Sequence, residues 1–387
     1  MKFLHLSDLH IGKMVNGFPL IDDQRFILEQ ICELAKSNHV DAVVLAGDIY
    51  DKSAPSSEAV ALFDDFLTSI AGACISCFAV PGNHDSAERV AYASSLLARQ
   101  GIYIAPVFDG ALSHFELQDE FGACEFWLMP FLRPTDVKPH FPDQAERIGR
   151  DYTEAIKVVL GSCPIDPGKR NVLVAHQFVT SGSQSPERSD SELVLGGIDN
   201  VDASVFEDFD YVALGHIHRP QRIGAEHIRY AGSPLKYSFS EIRYPKSAAL
   251  VTITEKHHVQ TKLIPLEPMR DMREVKGPLE SLISCAPHNH EAQDYIHAIL
   301  TDEHPPIDAL SRLRSAYPNL MGIDFITPKH SGRSVDPEAM DIRAIDPFAL
   351  FEAFFNQQHG SEMTKNQEKL ARRALENAMD NAEGMNR

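Results

Sequence analysis

Asp8 and His10, Asp48 and Asp51, Asn83 and His84, His176, and His216 and His218 follow one another along the chain, each just beyond an apolar stretch. They sit in five short polar clusters: Asp8–His10, Gly47–Asp51, Gly82–Asp85, the isolated His176, and Gly215–His218. Carboxylate, carboxamide and imidazole in this mixture are the groups that bind a pair of divalent cations. Such a pair solves a specific problem. A phosphodiester repels nucleophiles with its own charge, and two cations about 3.5–4 Å apart hold its oxygens and make hydroxide from water. The expected ligands are Asp8, His10, Asp48, Asn83, His176, His216 and His218. Asp48 is the natural bridge, because Gly47 before it lets the backbone approach closely. In Asp8-x-His10 and His216-x-His218 the two-residue spacing puts both side chains on one side of an extended segment.

The absence of cysteine from this set favours manganese, or a mixture with iron or zinc, over a structural zinc site. Magnesium suits imidazole poorly. His84 neighbours a ligand and is better placed for acid chemistry, protonating the leaving oxygen, with Asp51 holding its ring. The rival reading makes His84 another metal-bound nitrogen. His5, His39, His114, His140, His257, His258, His288 and His290 read as surface or core residues.

These side chains need strand ends to hold them. Lys2–Leu6, Val40–Ala46, Cys77–Val80, Glu125–Met129, Val172–Ala175 and Tyr211–Leu214 read as strands, with helical spacing around Phe26–Ala35 and from Ser56. Sites at strand ends are the rule in open α/β sheets. His227–Ala231, Ala248–Ile253 and Val259–Ile264 read as antiparallel strands. The pattern over 1–265 is an α/β or α/β/β/α sandwich. Residues 266–328 read as a small α+β module, 329–346 as a linker, and 347–387 as a helical region. In that last region Phe348, Leu350, Phe351, Phe354 and Phe355 crowd one segment, and Thr364 with Gln367 makes a capping-box signature. The apolar stripe either docks a partner or folds back on its own domain.

The chain has 387 residues, six cysteines and a net charge of -19. The charge argues against a generally basic nucleic-acid binder without excluding one. It leaves room for cation-mediated phosphate binding. Cys74 and Cys77 form a C-x-x-C at the start of an apolar run and read as buried strand cysteines rather than a redox pair. No apolar stretch approaches the ~20 residues of a membrane helix, and the opening run is too short for a signal peptide, so the expected location is the cytoplasm.

The order D-x-H, G-D-x-x-D, G-N-H-D, H, G-H-x-H resembles the calcineurin-like metallophosphoesterase superfamily, in particular its bacterial DNA-repair nucleases. Phe3–Gly12, Ser189–Leu193 with Gly196 and Gly197, Gly215–Gln221, Ile228–Ser240 and Asp271–Glu274 carry the likeness. The resemblance implies a metallophosphoesterase sandwich with a small DNA-capping domain and C-terminal helices. It implies two manganese ions, one held by Asp8, His10, Asp48 and His218, the other by Asp48, Asn83, His176 and His216. It also implies a homodimer that joins an SMC-like ATPase through residues 347–387 in a heterotetramer, which turns the phenylalanine stripe towards docking. The expected activity is an ATP-dependent double-strand exonuclease and a single-strand or hairpin endonuclease. Its setting would be DNA end processing, repair, recombination and replication in the nucleoid. A protein Ser/Thr phosphatase would follow G-D-x-x-D with Arg-Gly and read G-N-H-E; here Lys52, Ser53 and Asp85 stand instead. A small-molecule phosphodiesterase would need neither the cap module nor the tail. A non-catalytic dimer scaffold would have no use for intact ligands.

Overall fold

The computed structural model describes residues 1–192, 199–287, 289–326, 348, 351–352, 354–356 and 362–384. The linker 329–346, Gly196 and Gly197, His288 and Leu350 lie outside the described residues. The chain forms two compact units, Met1–Glu274 with His288–His297, and Val275–Pro287 with Ala298–Arg387.

The first unit is built on two six-stranded sheets. One has the order Val259–Pro265, Ser247–Ile253, Lys2–Leu6, Ala42–Ala46, Ser76–Val80, Ile102–Ile104. The other has the order Gln221–Ile223, Ala225–Tyr230, Tyr211–Leu214, Arg170–Ala175, Gly122–Met129, Ser113–Asp119. In each sheet the central pairs are parallel. Strands Ala42–Ala46 and Arg170–Ala175 are buried along their whole length, which fits the apolar runs Ala42–Ala46 and Val172–Ala175.

The two sheets share one core. Phe3, Val44, Phe78 and Val251 of the first meet Phe126, Val172, Val174 and Tyr211 of the second. Phe78 and Phe126 stack with centroids 4.2 Å apart, and Phe3 meets Phe126 edge-on at 5.5 Å. Each such pair contributes about 0.5–1.5 kcal/mol beyond its buried area. His5 crosses the same interface: Nδ1 lies 3.0 Å from the Tyr211 hydroxyl and Nε2 3.2 Å from the Leu214 carbonyl. Burial pushes its pKa down to about 3, so it packs as a neutral core histidine.

Helices cover the outer faces. Tyr152–Gly161 lays Tyr152, Ala155, Ile156 and Val159 on Trp127, Leu173 and Val212. Ile21–Ser37 buries Ile27, Leu28, Ile31 and Ala35; Ser57–Gly72 buries Leu62, Phe63, Phe66 and Ile70. The second of these begins at Ser56, whose hydroxyl accepts from the Ala59 N–H at 3.2 Å. The result is an α/β/β/α sandwich.

Two local readings are corrected. The strand at His227–Ala231 runs Ala225–Tyr230 and is antiparallel on one edge only, to Gln221–Ile223; on the other it pairs parallel to Tyr211–Leu214. A short strand, Gln221–Ile223, reverses the chain before it, and its antiparallel turn at Gly224 (φ +69°) restores the original direction. Cys74 is exposed in a turn at φ +57°, whereas Cys77 is buried in its strand with a pKa pushed up to about 12 by burial. Only one of the two is a core cysteine.

Beyond residue 271, strands Met272–Gly277, Tyr295–Leu300 and Leu320–Phe325 form a three-stranded sheet in that order. Helices Leu279–Ser284 and Ala309–Ala316 belong to the second unit, where the Tyr317 hydroxyl donates to the Leu282 carbonyl at 2.9 Å. The long helix Lys365–Gly384 opens on the expected capping box: Thr364 N–H donates to Gln367 Oε1 at 2.9 Å, and Gln367 N–H to Thr364 Oγ1 at 3.4 Å. Arg372 lies over the Phe348 ring at 3.6 Å, while Phe351, Phe354 and Leu370 are exposed. No helix among the described residues is long and apolar enough to cross a membrane.

Candidate metal centre

Every expected ligand lies just past the end of a parallel strand. Asp8 and His10 follow Lys2–Leu6, Asp48 follows Ala42–Ala46, Asn83 and His84 follow Ser76–Val80, His176 follows Arg170–Ala175, and His216 and His218 follow Tyr211–Leu214. The chain must turn sharply there to aim each side chain. Asp8, His10, Asp48 and His216 accordingly adopt φ values of +53°, +43°, +50° and +95°. Such backbone costs about 1–3 kcal/mol per residue and persists where the surroundings over-determine it. Two glycines make room: a Cβ on Gly47 would overlap the His176 ring, and one on Gly82 would overlap the Asp48 carboxylate.

The side chains converge in two groups around Asp48. His10 Nε2 lies 3.2 Å from His218 Nε2 and 3.7 Å from Asp48 Oδ2, with Asp8 Oδ1 4.0 Å from His218 Nε2. On the other side, His176 Nε2 is 3.3 Å from Asp48 Oδ2 and 3.0 Å from Asn83 Oδ1, and His216 Nδ1 is 2.9 Å from Asn83 Oδ1. All but Asn83 and His216 are buried to 3% exposure or less.

Metal fits this donor set. His176 Nδ1 donates to the Ala46 carbonyl at 2.8 Å, which leaves Nε2 as a lone pair. That nitrogen faces the Asn83 oxygen, an acceptor, so either a proton or a cation must lie between them. His218 repeats the pattern: Nδ1 is engaged by Ser191 Oγ at 2.8 Å and Glu241 Oε1 at 3.3 Å, so Nε2 is turned towards His10. His10 Nδ1 is buried without a hydrogen-bond partner.

The electrostatics show how much positive charge the centre wants. Burial opposes charge on His176, but the Asp48 carboxylate outweighs it and raises the imidazole to about 9. Burial likewise opposes charge on Asp48, yet His176 holds its carboxyl well below the usual range. Asp8 is pushed up, chiefly by burial. His216 falls to about 3, through burial and then its neighbour His176. A cation supplies what the His176 proton supplies here.

His84 stands at the rim. Its backbone N–H donates to Asp48 Oδ1 at 2.9 Å, and its ring lies 4.8 Å edge-on from that of His10. Asp51 does hold this ring, but through its backbone: His84 Nδ1 is 3.0 Å from the Asp51 carbonyl. The Asp51 carboxylate instead pairs with Lys13 Nζ at 2.7 Å. A carbonyl fixes the ring as an Nδ1–H donor and frees Nε2. One ring nitrogen of His84 also falls within 4.8 Å of ligand atoms of His10 and Asp48.

Motif reading assigned no role to several supporting residues. Glu241 is fully buried, and Oε1 accepts from Ser189 at 3.1 Å and Ser191 at 2.6 Å, as well as facing His218. Its Oε2 takes the buried Lys246 ammonium at 2.5 Å. Glu192 Oε1 accepts the His218 N–H at 2.7 Å. Asp85 ties two loops together by accepting from Ile49, Tyr50 and Gly82 N–H at 3.0, 2.9 and 2.8 Å. Burial and then Asp48 raise its pKa to about 6. Ser189–Leu193 and Asp85, the aspartate of G-N-H-D, were visible in sequence, but nothing local linked Glu241 to His218.

Comparison with known proteins agrees. Residues 1–220 match the calcineurin-like phosphoesterase family, and 268–359 match the family described as type 5 capsule protein repressor C-terminal domain. The SbcD component of nuclease SbcCD from Staphylococcus saprophyticus is 31% identical over 95% of this chain and 96% of its own length. Its counterpart from Staphylococcus epidermidis is 29% identical over 98% and 99%. A crystal structure of a dimetal phosphatase from Danio rerio aligns at 12% identity over 69% of this chain and 97% of that one, with a TM-score of 0.43, and carries no weight here. The chain belongs to the calcineurin-like phosphoesterase family, alongside the SbcD components of nuclease SbcCD that it resembles over nearly its whole length.

Proposed function

We propose that this chain is the metal-dependent DNA nuclease component of an SbcCD-type complex. The observation that carries the reading is the convergence of Asp8, His10, Asp48, Asn83, His176, His216 and His218 at adjacent strand ends. The near full-length similarity to the SbcD components of nuclease SbcCD supports DNA as the substrate class.

Asp8, His10, Asp48 and His218 would hold one divalent cation, and Asp48, Asn83, His176 and His216 the other, most suitably manganese. Bound there, two cations would draw charge off a phosphodiester and acidify a water for attack. The protein's own part is orientation and proton handling. The Ala46 carbonyl sets the His176 tautomer, and Glu241 with Ser191 sets that of His218. His84, with Nδ1 on the Asp51 carbonyl, holds Nε2 at the rim, where a proton can pass to the leaving oxygen.

The finer reading is an ATP-dependent double-strand exonuclease and single-strand or hairpin endonuclease acting as a homodimer in the cytoplasm, at the nucleoid. Residues 1–265 form the nuclease domain and 266–328 a DNA-capping domain. Beyond a linker at 329–346, 347–387 would bind the SMC-like ATPase SbcC, giving a heterotetramer. The exposure of Phe351, Phe354 and Leu370 supports the last assignment.

The test uses chelated full-length chain, with manganese restored, on an end-labelled DNA hairpin and on bis(p-nitrophenyl) phosphate. Manganese-dependent cleavage of both is expected. Hydrolysis of the small diester with the hairpin left intact, alone and with the ATPase and ATP present, would favour a small-molecule phosphodiesterase.

A further inference from the structure

Two phenylalanines flank the His216 ring, and each carries an arginine. Phe131 lies 6.5 Å from His216 and nearly parallel to it, at 20°; Phe178 lies 6.3 Å away. The Arg133 guanidinium sits 5.1 Å from the Phe131 centroid, and that of Arg188 only 3.9 Å from the Phe178 centroid. Both arginines are exposed, and among the described residues no carboxylate forms an ion pair with either. Nearby acids are committed elsewhere: Glu187 pairs with Arg219, and Asp136 accepts the Arg133 backbone N–H at 2.9 Å.

The chain carries a net charge of -19, so a polyanion approaching it is repelled except where positive charge is held locally. A guanidinium resting on an aromatic face is pre-oriented and loses less freedom on binding. Its fork of N–H groups matches phosphate oxygens. The two arginines also come from separate segments. Arg133 follows the strand Gly122–Met129, and Arg188 precedes Ser191 and Glu192, which brace His218. They therefore stand on different walls beside one ligand.

We propose that Arg133 and Arg188 form a phosphate clamp that grips the backbone of a polynucleotide strand on the Asn83–His216 side of the site, flanking the scissile phosphate. The clamp rests on the nuclease reading above and adds a specificity device to it. It makes a strand a better substrate than a small diester, since only a strand has flanking phosphates to offer.

The experiment compares the full-length chain with Arg133→Ala/Arg188→Ala and with Arg133→Lys/Arg188→Lys. Binding of a fluorescent single-stranded oligonucleotide is measured in chelator across a salt series, and kinetics are measured with manganese on a DNA hairpin and on bis(p-nitrophenyl) phosphate. The alanine pair should flatten the salt slope of binding by about 1.4, at about 0.7 per lost phosphate contact. Its KM for the hairpin should rise about ten-fold, several-fold more than its KM for the small diester. The lysine pair should recover part of the binding, because charge remains without the aromatic seat. Alanine variants that bind and cleave DNA like the parent would overturn the clamp and leave the nuclease reading standing. A parent chain that hydrolyses the small diester but neither binds nor cleaves DNA, alone and with the ATPase and ATP present, would overturn both.

Discussion

Glu241 lies behind His218: its Oε1 is 3.3 Å from the imidazole Nδ1, and Lys246 Nζ closes the other carboxylate oxygen at 2.5 Å. A metal-facing histidine is thus braced by a fully buried ion pair. Such bracing residues tune affinity about 10–100-fold. Glu241→Gln should weaken manganese binding by that factor in calorimetric titration, and Glu241→Asp by less. It should also lower thermal stability, since Lys246 would be left buried without its counter-charge. Unchanged manganese affinity in Glu241→Gln would remove the bracing role.

His84 separates acid catalysis from ligation. His84→Ala should cut hydrolysis about 10²–10⁴-fold while metal content, read by elemental analysis, stays near the parent value. Parallel loss of metal and activity would make His84 a ligand instead.

Truncation of the C-terminal region tests whether catalysis and assembly are separate. Deleting residues 347–387 should abolish co-purification with the ATPase while manganese-dependent hydrolysis of bis(p-nitrophenyl) phosphate persists. Undiminished capture of the ATPase would place its docking surface elsewhere.

Asp119 should contribute to acid stability away from the candidate metal centre. Burial opposes its charge, but the Arg170 fork, at 2.5 and 3.0 Å, outweighs that and lowers it to about 2. A depressed carboxylate contributes stability that is present above the ordinary value near 3.8 and lost as pH falls through 2. The contribution is about 2 kcal/mol at most, at 1.36 kcal/mol per pH unit. Asp119→Asn should therefore lower Tm at neutral pH, and the gap to the parent should close between about pH 4 and 2. A constant gap across that range would contradict the assignment.

The candidate ligands were legible because each is a short polar interruption after an apolar strand, and the order of five such clusters is informative even when each alone is not. The parallel strands were legible for the same reason: full burial writes itself as an unbroken apolar run, as in Ala42–Ala46. Ser113–Asp119 was missed because its alternating half-buried pattern includes Glu116, Gln118 and Asp119. Gln221–Ile223, at a sheet edge, is too short to show a period, and without it the parallel pairing of the following strand with Tyr211–Leu214 was missed. Glu241 was missed for a different reason. It meets His218 across 23 residues of chain, and no spacing rule connects a brace to the ligand it supports.

The central claim is that Asn83 completes a two-metal nuclease site. Its most direct test is manganese-dependent cleavage of an end-labelled DNA hairpin by the full-length chain and by Asn83→Ala, with bound manganese counted in both. The parent should cleave and hold two ions per chain. Asn83→Ala should lose cleavage and bind the second ion more weakly, because its oxygen stands 3.0 Å from His176 Nε2 and 2.9 Å from His216 Nδ1. Cleavage at the parental rate by Asn83→Ala, with metal content unchanged, would contradict the account.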